Sequence, residues 1–432
     1  MTARFAGFEH DEIAGVPLLF AEDRRFKTLR VLLMVRRPLA DEALVAARLL
    51  LPSLLVHGTS RDPDRPAIAR HMDELYGAMV IPSVVKSGET QVFRAAIDAV
   101  AGAFLPGRPP QLRGCFEFLG DLCAAPRLTA GAFPAAVFER ERRQALDMVR
   151  TRIDDRGSYA RDEALRRACA GEPMAIPEYG SESALAALRP ADPEAARVDF
   201  FGRGEIFAVA CGAFDPGELR EALTGFLRRL PPRQPEALAP PVRIAPRAAR
   251  RVVERVDLQQ SKLCLIARFP PSDDPSLWIG RRLLMGMLGG GPQSRLFQEV
   301  REKRSLAYQV GASAERHKGL IVVQAGCDED KAEAIVEETA AQLGQLGRGA
   351  FEERELDTAR AQLLHALDTV SDATSTRCAF VAENWMLGQD RTPEQLREAY
   401  RLADRDLVVR AAQGIWLDLV YLLAPRAPGG GE

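Results

Sequence analysis

The first half of the chain contains a helical segment that is followed by two strand-like segments. Residues 66–76 are predicted to form the helix, and the strand-like hydrophobic patterns cover 78–85 and 91–100. A turn at Ser87-Gly88 separates the two strands. Two strand-like runs joined by a glycine turn are typical of an antiparallel hairpin.

The second half repeats this order of elements. A predicted helix is followed by two predicted strands and a second helix, at 294–303, 306–314, 320–326 and 330–346. Polar and apolar residues alternate along 307–312, and the β-branched run Ile321-Val322-Val323 follows a turn at Gly319. Both features favour strands of an antiparallel hairpin.

Further segments correspond between the halves. Long helical stretches open at Phe138 and at Phe351, and the strand-like segments 205–211 and 418–424 end the two halves. Helices that alternate with antiparallel hairpins predict an α+β fold. We therefore expect two homologous domains, each an antiparallel sheet with helices packed mainly on one face.

A proline-rich stretch separates the two halves. The run LPPRQPEALAPPVRIAPRAAR begins at Leu230, and its prolines remove backbone donors and fix φ. Neither a helix nor a central strand can continue through such a run. The predicted organisation is an N-terminal domain at 1–230, a linker at 231–250 and a C-terminal domain at 251–432.

Composition narrows the class of protein. The hydrophobic fraction of 47% is ordinary for a globular chain, and the net charge of −2 without a basic run argues against nucleic-acid binding. The longest apolar run, 49–56, is too short to span a membrane. Seven cysteines stand singly and predict buried, reduced thiols. These features predict a cytoplasmic protein.

Three segments carry a resemblance to a known family. The run GGGPQSRLFQEVREKRSLAYQV at 289–310 resembles the C-terminal domain signature of the pitrilysin/insulinase family of inverted-motif zinc peptidases. Residues 57–78 and 138–160 are similar to the segment after the family's zinc helix and to the helix that supplies its last metal ligand. The resemblance is closest to the bacterial half-length branch. It implies two domains that work as a dimer enclosing a chamber for unfolded peptides.

The zinc motif of that family is missing from this chain. Two histidines at i and i+4 on one helix face bind zinc, and a glutamate at i+3 activates water. Alignment on Gly58-Thr59 puts Leu49, Pro52 and Ser53 at these three positions, and Met148 at the third ligand. The resemblance therefore implies no metal and no cofactor in this chain. Pro52 also predicts that the helix is kinked or ended there.

Other histidines do not replace the motif in the sequence. His71 and Glu74 share one helical face, but a solvated charged face is favoured over a metal pair. His57 precedes a turn and is predicted to be a surface residue. The loop Gly289-Gly290-Gly291 lacks the ending of a phosphate-binding P-loop, so a close approach of two backbones is favoured. No cysteine comes with a convincing base: acidic residues follow Cys327 and would raise its pKa.

The resemblance assigns a catalytic role to Arg301 and Tyr308. From spacing alone, a solvated helix face and a packing tyrosine are favoured, but the context of 289–310 reverses this preference. In the family, an arginine and a tyrosine seven residues apart bind the substrate carbonyl and stabilise the oxyanion, as an oxyanion hole does.

The resemblance thus implies a non-zinc subunit of a heterodimeric zinc metalloendopeptidase that processes peptides. A homologous subunit with the zinc motif would be the partner, and zinc is expected there. Two alternatives stay open: a non-catalytic scaffold, and a peptide-binding assembly subunit or chaperone without hydrolysis. The sequence specifies neither the substrate nor the cleavage site, and it does not decide between a homodimer and a heterodimer.

Overall fold

A computed structural model describes residues 3–426. The chain forms two compact units. The first unit comprises the chain up to Arg150 together with Ile176–Pro240 and Thr369–Pro393, and the second comprises Thr151–Ala175, Pro241–Asp368 and the chain from Glu394 onward. Within 3–426, no helix is long and apolar enough to cross a membrane.

The first unit contains a seven-stranded sheet. Its strands are β1 (Ala3–Phe5), β2 (Phe8–Ile13), β3 (Val16–Glu22), β4 (Thr28–Pro38), β5 (Met79–Ser87), β6 (Thr90–Val100) and β7 (Glu205–Gly212). They lie in the order β1-β2-β3-β7-β4-β6-β5. Neighbouring strands are antiparallel except for the parallel pair β3 and β7.

The second unit contains a five-stranded sheet with the same topology. Its strands are β8 (Arg250–Val256), β9 (Ser261–Arg268), β10 (Gln309–Glu315), β11 (Leu320–Cys327) and β12 (Trp416–Pro425). The order β10-β11-β9-β12-β8 reproduces β5-β6-β4-β7-β3 strand for strand, and β8 and β12 are again the parallel pair. The predicted α+β class with two homologous sheets is confirmed.

Helices connect the strands in both units. Those of the first unit are α1 (Glu42–Leu55), α2 (Arg65–Glu74), α3 (Gln111–Ala124), α4 (Ala135–Thr151, whose last residue is counted with the second unit), α6 (Glu182–Ala187), α7 (Asp192–Arg203), α8 (Pro216–Arg229) and α12 (Thr374–Leu387). Those of the second unit are α5 (Arg156–Ala168), α9 (Leu277–Gly289), α10 (Ala332–Gly347), α11 (Glu353–Asp368), α13 (Pro393–Leu402, whose first residue is counted with the first unit) and α14 (Arg405–Ala412).

Each sheet buries apolar residues on both faces. In the first unit, one face packs against α1, α3, α7 and α8, and the opposite face packs against α12. In the second unit, α5 covers one face, and α9, α10, α11 and α14 pack together on the other side. Helices therefore lie mainly on one face of each sheet, as predicted.

Two segments of the chain belong to the unit opposite to the one that their position in the sequence suggests. The segment 151–175, with α5, belongs to the unit of the second sheet, and the segment 369–393, with α12, belongs to that of the first. The predicted domain boundary at 231–250 does not account for these two segments. The main break between the units, at Pro240, does lie inside the predicted linker, and no helix or strand of the described chain occupies 230–249.

Helix α1 has a side-chain cap at its N-terminus and a proline near its C-terminus. Asp41 caps α1 by accepting a hydrogen bond from the backbone N–H of Leu44 at 2.8 Å. Pro52 lies inside α1, which continues to Leu55, so of the two predicted outcomes, a kink or an end at Pro52, the end is wrong. Because Pro52 has no N–H, the helical hydrogen bond to the carbonyl of Arg48, four residues earlier, is lost, and only three residues of α1 follow the proline.

The glycine-rich loop after α9 brings two backbones together. A Cβ atom on Gly289 would lie 2.4 Å from the backbone nitrogen of Ala312 on β10. Such a contact is impossible for any other residue without movement of the strand. The close approach predicted for this loop is confirmed.

Candidate functional site

The positions of the zinc motif lie on α1 and α4. Leu49, Pro52 and Ser53 are all partly exposed near the C-terminal end of α1, and the Ser53 hydroxyl donates a hydrogen bond to the carbonyl of Leu50 at 3.0 Å. Met148 on α4 is 44% exposed. Two apolar side chains, a hydroxyl and a thioether do not supply the imidazole and carboxylate ligands that zinc takes. The residues present therefore do not fit the metal.

A buried histidine and glutamate lie next to these positions. His57 Nε2 is 2.7 Å from Glu141 Oε1, and the two side chains are 9% and 6% exposed. The Arg140 guanidinium contacts the His57 ring at 2.9 Å. The prediction of a surface position for His57 is wrong, because the ring turns inward to Glu141. We call these two residues the His57–Glu141 pair.

Burial and charge shift the pKa values of this pair in a consistent way. Burial is the largest cause that lowers the pKa of His57, and the bond to Glu141 opposes it. Burial acts to raise the pKa of Glu141, but its bonds to His57, Arg140 and Ser53 outweigh that effect and hold the pKa below its ordinary value. A neutral imidazole therefore faces an ionised carboxylate at neutral pH.

We expect the imidazole of His57 to titrate below its ordinary pKa of 6.5. Glu141→Gln should lower this pKa further, because the carboxylate stabilises the protonated ring. Since the folded-state pKa is below the unfolded one, the contribution to stability is present above about 6.5 and is lost as the pH falls below it. NMR titration of the ring protons, assigned with a His57→Gln variant, measures both values. A pKa at or above 6.5 in the native chain contradicts this prediction.

His71 takes part in a second buried cluster. Its Nδ1 is 2.8 Å from Asp62 Oδ2, and its ring packs edge-on against Phe118. Glu74 is exposed, so the two residues do not share an environment, and the solvated position predicted for His71 is wrong. Asp121 also lies within 4.8 Å of the group. It accepts a hydrogen bond from Arg229 at 2.5 Å, so the three groups are satisfied by protein partners.

The cysteines are buried. All seven are reduced and buried, as predicted. Burial, with a smaller contribution from Asp328, raises the pKa of Cys327 to about 11. A thiol with this pKa is protonated at neutral pH and is a poor nucleophile.

Arg301 lies at the surface of the second unit. It belongs to a π-helical segment, Phe297–Lys303, in which the buried Val300 anchors the inner side. The side chain of Arg301 is 44% exposed and its guanidinium carbon lies 4.7 Å from the centre of the Phe297 ring. The nearest carboxylate is that of its chain neighbour Glu302, at 3.6 Å. The guanidinium is therefore held by a ring and not by a close ion pair.

Tyr308 follows on the same stretch of chain, just before β10. It is 60% exposed, and its hydroxyl donates a hydrogen bond of 3.3 Å to Asp328. Its backbone N–H bonds to the carbonyl of Gly326 at 2.9 Å, which fixes the main chain at the start of the hairpin. Among residues 3–426, no hydrogen bond joins the side chains of Arg301 and Tyr308.

The backbone between these two residues departs from regular geometry. The N–H of Arg304 bonds to the carbonyl of Glu299, five residues earlier, at 3.3 Å. Ser305 has φ of +48°, a conformation that non-glycine residues rarely adopt. π-helical turns and left-handed residues cost free energy and persist only where the surrounding structure maintains them. They are concentrated at functional sites.

The sequence matches the family model described as "Peptidase M16 inactive domain" over residues 199–363. It is 23% identical over 423 residues to the "Probable inactive metalloprotease YmfF" of Bacillus subtilis, covering 95% of this chain and 96% of that one. It is 26% identical over 151 residues to the "Uncharacterized zinc protease YmxG" of the same organism, covering 34% of this chain and 37% of that one. A crystal structure of a conserved protein from Enterococcus faecalis superposes with a TM-score of 0.89 at 24% identity, covering 96% and 97% of the two chains. The predicted resemblance to this peptidase family, as a member that lacks the zinc motif, is confirmed.

Proposed function

We propose that this chain, which is similar to the M16, or pitrilysin/insulinase, peptidase family but lacks the family's zinc ligands, is the non-zinc subunit of a heterodimeric zinc metalloendopeptidase. In this proposal a homologous subunit with the zinc motif binds the metal. This chain contributes Arg301 and Tyr308 to the binding of an unfolded peptide substrate.

The observation that carries the proposal is the exposure of both side chains on a distorted backbone. An arginine that served only the fold of its own unit would be expected to pair with a carboxylate, as Arg295 does with Glu355 at 2.6 Å. Arg301 instead stacks on Phe297 and keeps its N–H groups accessible. This arrangement supports a partner outside the second unit.

The chemistry of the two groups suits a peptide carbonyl. A guanidinium and a phenol both donate hydrogen bonds, and a carbonyl oxygen accepts them. Donors placed where negative charge develops stabilise the oxyanion more than the ground state, which lowers the barrier. Zinc in the partner would supply the Lewis acid for the same oxygen.

The relatives in one organism also support pairing. Bacillus subtilis contains both a protein named as a probable inactive metalloprotease and a protein named as a zinc protease that are similar to this chain. A chain without zinc ligands and a chain with them would together contain both parts of the site.

Mixing experiments test the proposal. The purified chain alone should cleave no peptide, with or without added zinc, because it lacks the ligand set. Mixed with a zinc-motif relative from the same organism, it should form a heterodimer by size-exclusion chromatography with mass measurement, and the mixture should cleave an unfolded reporter peptide. The proposal is contradicted if this chain forms a stable homodimer and does not bind the relative. It is also contradicted if the relative is fully active by itself. Either result favours a scaffold.

A further inference from the structure

A cavity of about 510 Å³ opens in the second unit among α9, β10 and α11. This is the size range of sites for small organic ligands. The residues that the argument uses are Phe269, Trp278, Arg281, Arg282, Glu315 and Arg316. We call this space the arginine cavity.

Aromatic rings hold the three arginines. The guanidinium carbon of Arg281 lies 4.7 Å from the centre of the Phe269 ring. Those of Arg282 and Arg316 lie 5.3 and 5.2 Å from the Trp278 ring. Stacking fixes the plane of a guanidinium and leaves its N–H edges available. A ring also carries no net charge, so it positions these cations without neutralising them.

The side chains of Arg281 and Arg282 make few contacts with hydrogen-bond acceptors in the described part of the chain. Arg281 donates one hydrogen bond, to the carbonyl of Pro270 at 2.6 Å, and its Nε is buried without a partner. The side chain of Arg282 makes no hydrogen bond or ion pair within residues 3–426. Glu315 is the one carboxylate among the described residues of the wall, which also contains Arg281 and Arg282.

Two further observations also indicate that the cavity has an excess of positive charge and of hydrogen-bond donors. The indole N–H of Trp278 is buried and has no acceptor. Arg243 is close enough to Arg281 for repulsion to add to burial, and both lower the pKa of Arg281. Buried donors without acceptors are costly, so a site that keeps them indicates an acceptor that binds there.

We propose that the arginine cavity binds a small organic anion, whose carboxylate or phosphate head bonds to Arg281 and Arg282. The planar guanidinium matches either oxyanion through two parallel hydrogen bonds. The site is built from arginines of α9 and not from a helix N-terminus, so it differs from the P-loop arrangement that the sequence argues against. It does not depend on the role proposed for Arg301 and Tyr308.

Binding of three probes with one shared ring tests the proposal. Phenyl phosphate and benzoate carry the two heads, and benzyl alcohol is the neutral control. At constant ionic strength, calorimetry should show saturable binding of at least one anion with a Kd below about 1 mM, and no binding of the alcohol. The anion that binds more tightly identifies the head. Absence of saturable binding of both anions, or equal binding of the alcohol, overturns the proposal.

Variants connect the binding to the cavity. Arg282→Gln should weaken the binding of the anion by about tenfold or more, because one charge-assisted contact is lost. Glu315→Gln should strengthen it, since a repulsive carboxylate is removed, and this opposite sign cannot come from partial unfolding. Arg401→Gln, at an exposed position on α13 in the same unit, is the matched control and should leave the Kd unchanged. Equal affinity of native protein and both cavity variants would place the anion elsewhere and overturn the assignment.

Discussion

Arg301→Ala is expected to lower kcat/KM of the heterodimer by about a hundred- to a thousandfold, the usual cost of losing one donor to an oxyanion. The effect should lie mainly in kcat, because the carbonyl oxygen acquires its charge in the transition state. The zinc content of the partner and the mass of the heterodimer should not change. Steady-state kinetics on a reporter peptide measure the two constants.

Lys303→Ala is the matched control for this experiment. Lys303 lies two residues away in the same π-helical segment, is 63% exposed and pairs only with its neighbour Glu299 within the described chain. Its loss removes a cation from the same surface without touching Arg301, so kcat should stay within about twofold of native. A similar loss in both variants would indicate a general effect of surface charge on the association of substrate.

Tyr308→Phe tests the contribution of the hydroxyl separately from that of the ring. The ring stays, and only the phenol donor and its 3.3 Å bond to Asp328 are removed. A loss of activity with unchanged stability supports hydrogen bonding to substrate by Tyr308. If both Arg301→Ala and Tyr308→Phe support full cleavage in the heterodimer, the role proposed for these residues is wrong.

The hairpins were predictable from the sequence because their signals are local. The predicted strands at 78–85 and 91–100 correspond to β5 and β6, which pair from Met79 with Asp98 to Ser87 with Thr90. A glycine turn between two strand-like runs is sufficient to specify such a pair. The match between the two hairpins then predicts the duplication.

The central strands β4 and β9 were not identified. Their sequences, TLRVLLMVRRP and SKLCLIAR, are apolar on both faces, and both strands are buried between layers of helices. Without the alternation of a half-exposed strand, a short apolar run cannot be distinguished from a segment of buried helix. The exchange of α5 and α12 between the units also has no local signal, because it depends on contacts far apart in sequence.

One part of the His57–Glu141 pair could be predicted from the sequence, and the other part could not. Phe138, Glu141 and Ala145 are all buried and share one face of α4, which is a helical spacing visible in the sequence. This spacing indicates that Glu141 points inward. It does not indicate the partner, because His57 lies 84 residues earlier and only the folded chain brings the two together.

A buried ion network in the second unit is the basis of the other large prediction. Arg268 bonds to Asp418 at 2.7 Å and to Glu172 at 2.6 Å, and Lys318 bonds to Glu172 at 2.6 Å. All four side chains are at most 4% exposed. Burial acts to raise the pKa values of Asp418 and Glu172, but their cationic partners outweigh it and hold both pKa values below the ordinary range.

Asp418→Asn should therefore lower the free energy of unfolding of the second unit by about 3–5 kcal/mol, because it leaves the buried guanidinium of Arg268 without part of its counter-charge. Urea titration, with hydrogen exchange of the β9 and β12 amides as the local measurement, reports this loss. Asp273→Asn, at an exposed position in the same unit, is the control and should change the free energy by less than about 0.5 kcal/mol.

The same network predicts how stability depends on pH. Since the folded-state pKa values of both carboxyl groups are depressed, their contribution is present above the unfolded value of about 4 and is lost as the pH falls through the folded values. The native chain should lose more stability on acidification than the Asp418→Asn variant, which has one such carboxylate fewer. Equal pH dependence of the two proteins would mean that Asp418 is not ionised in the fold, and the stabilisation would then come from packing around β12 rather than from its charge.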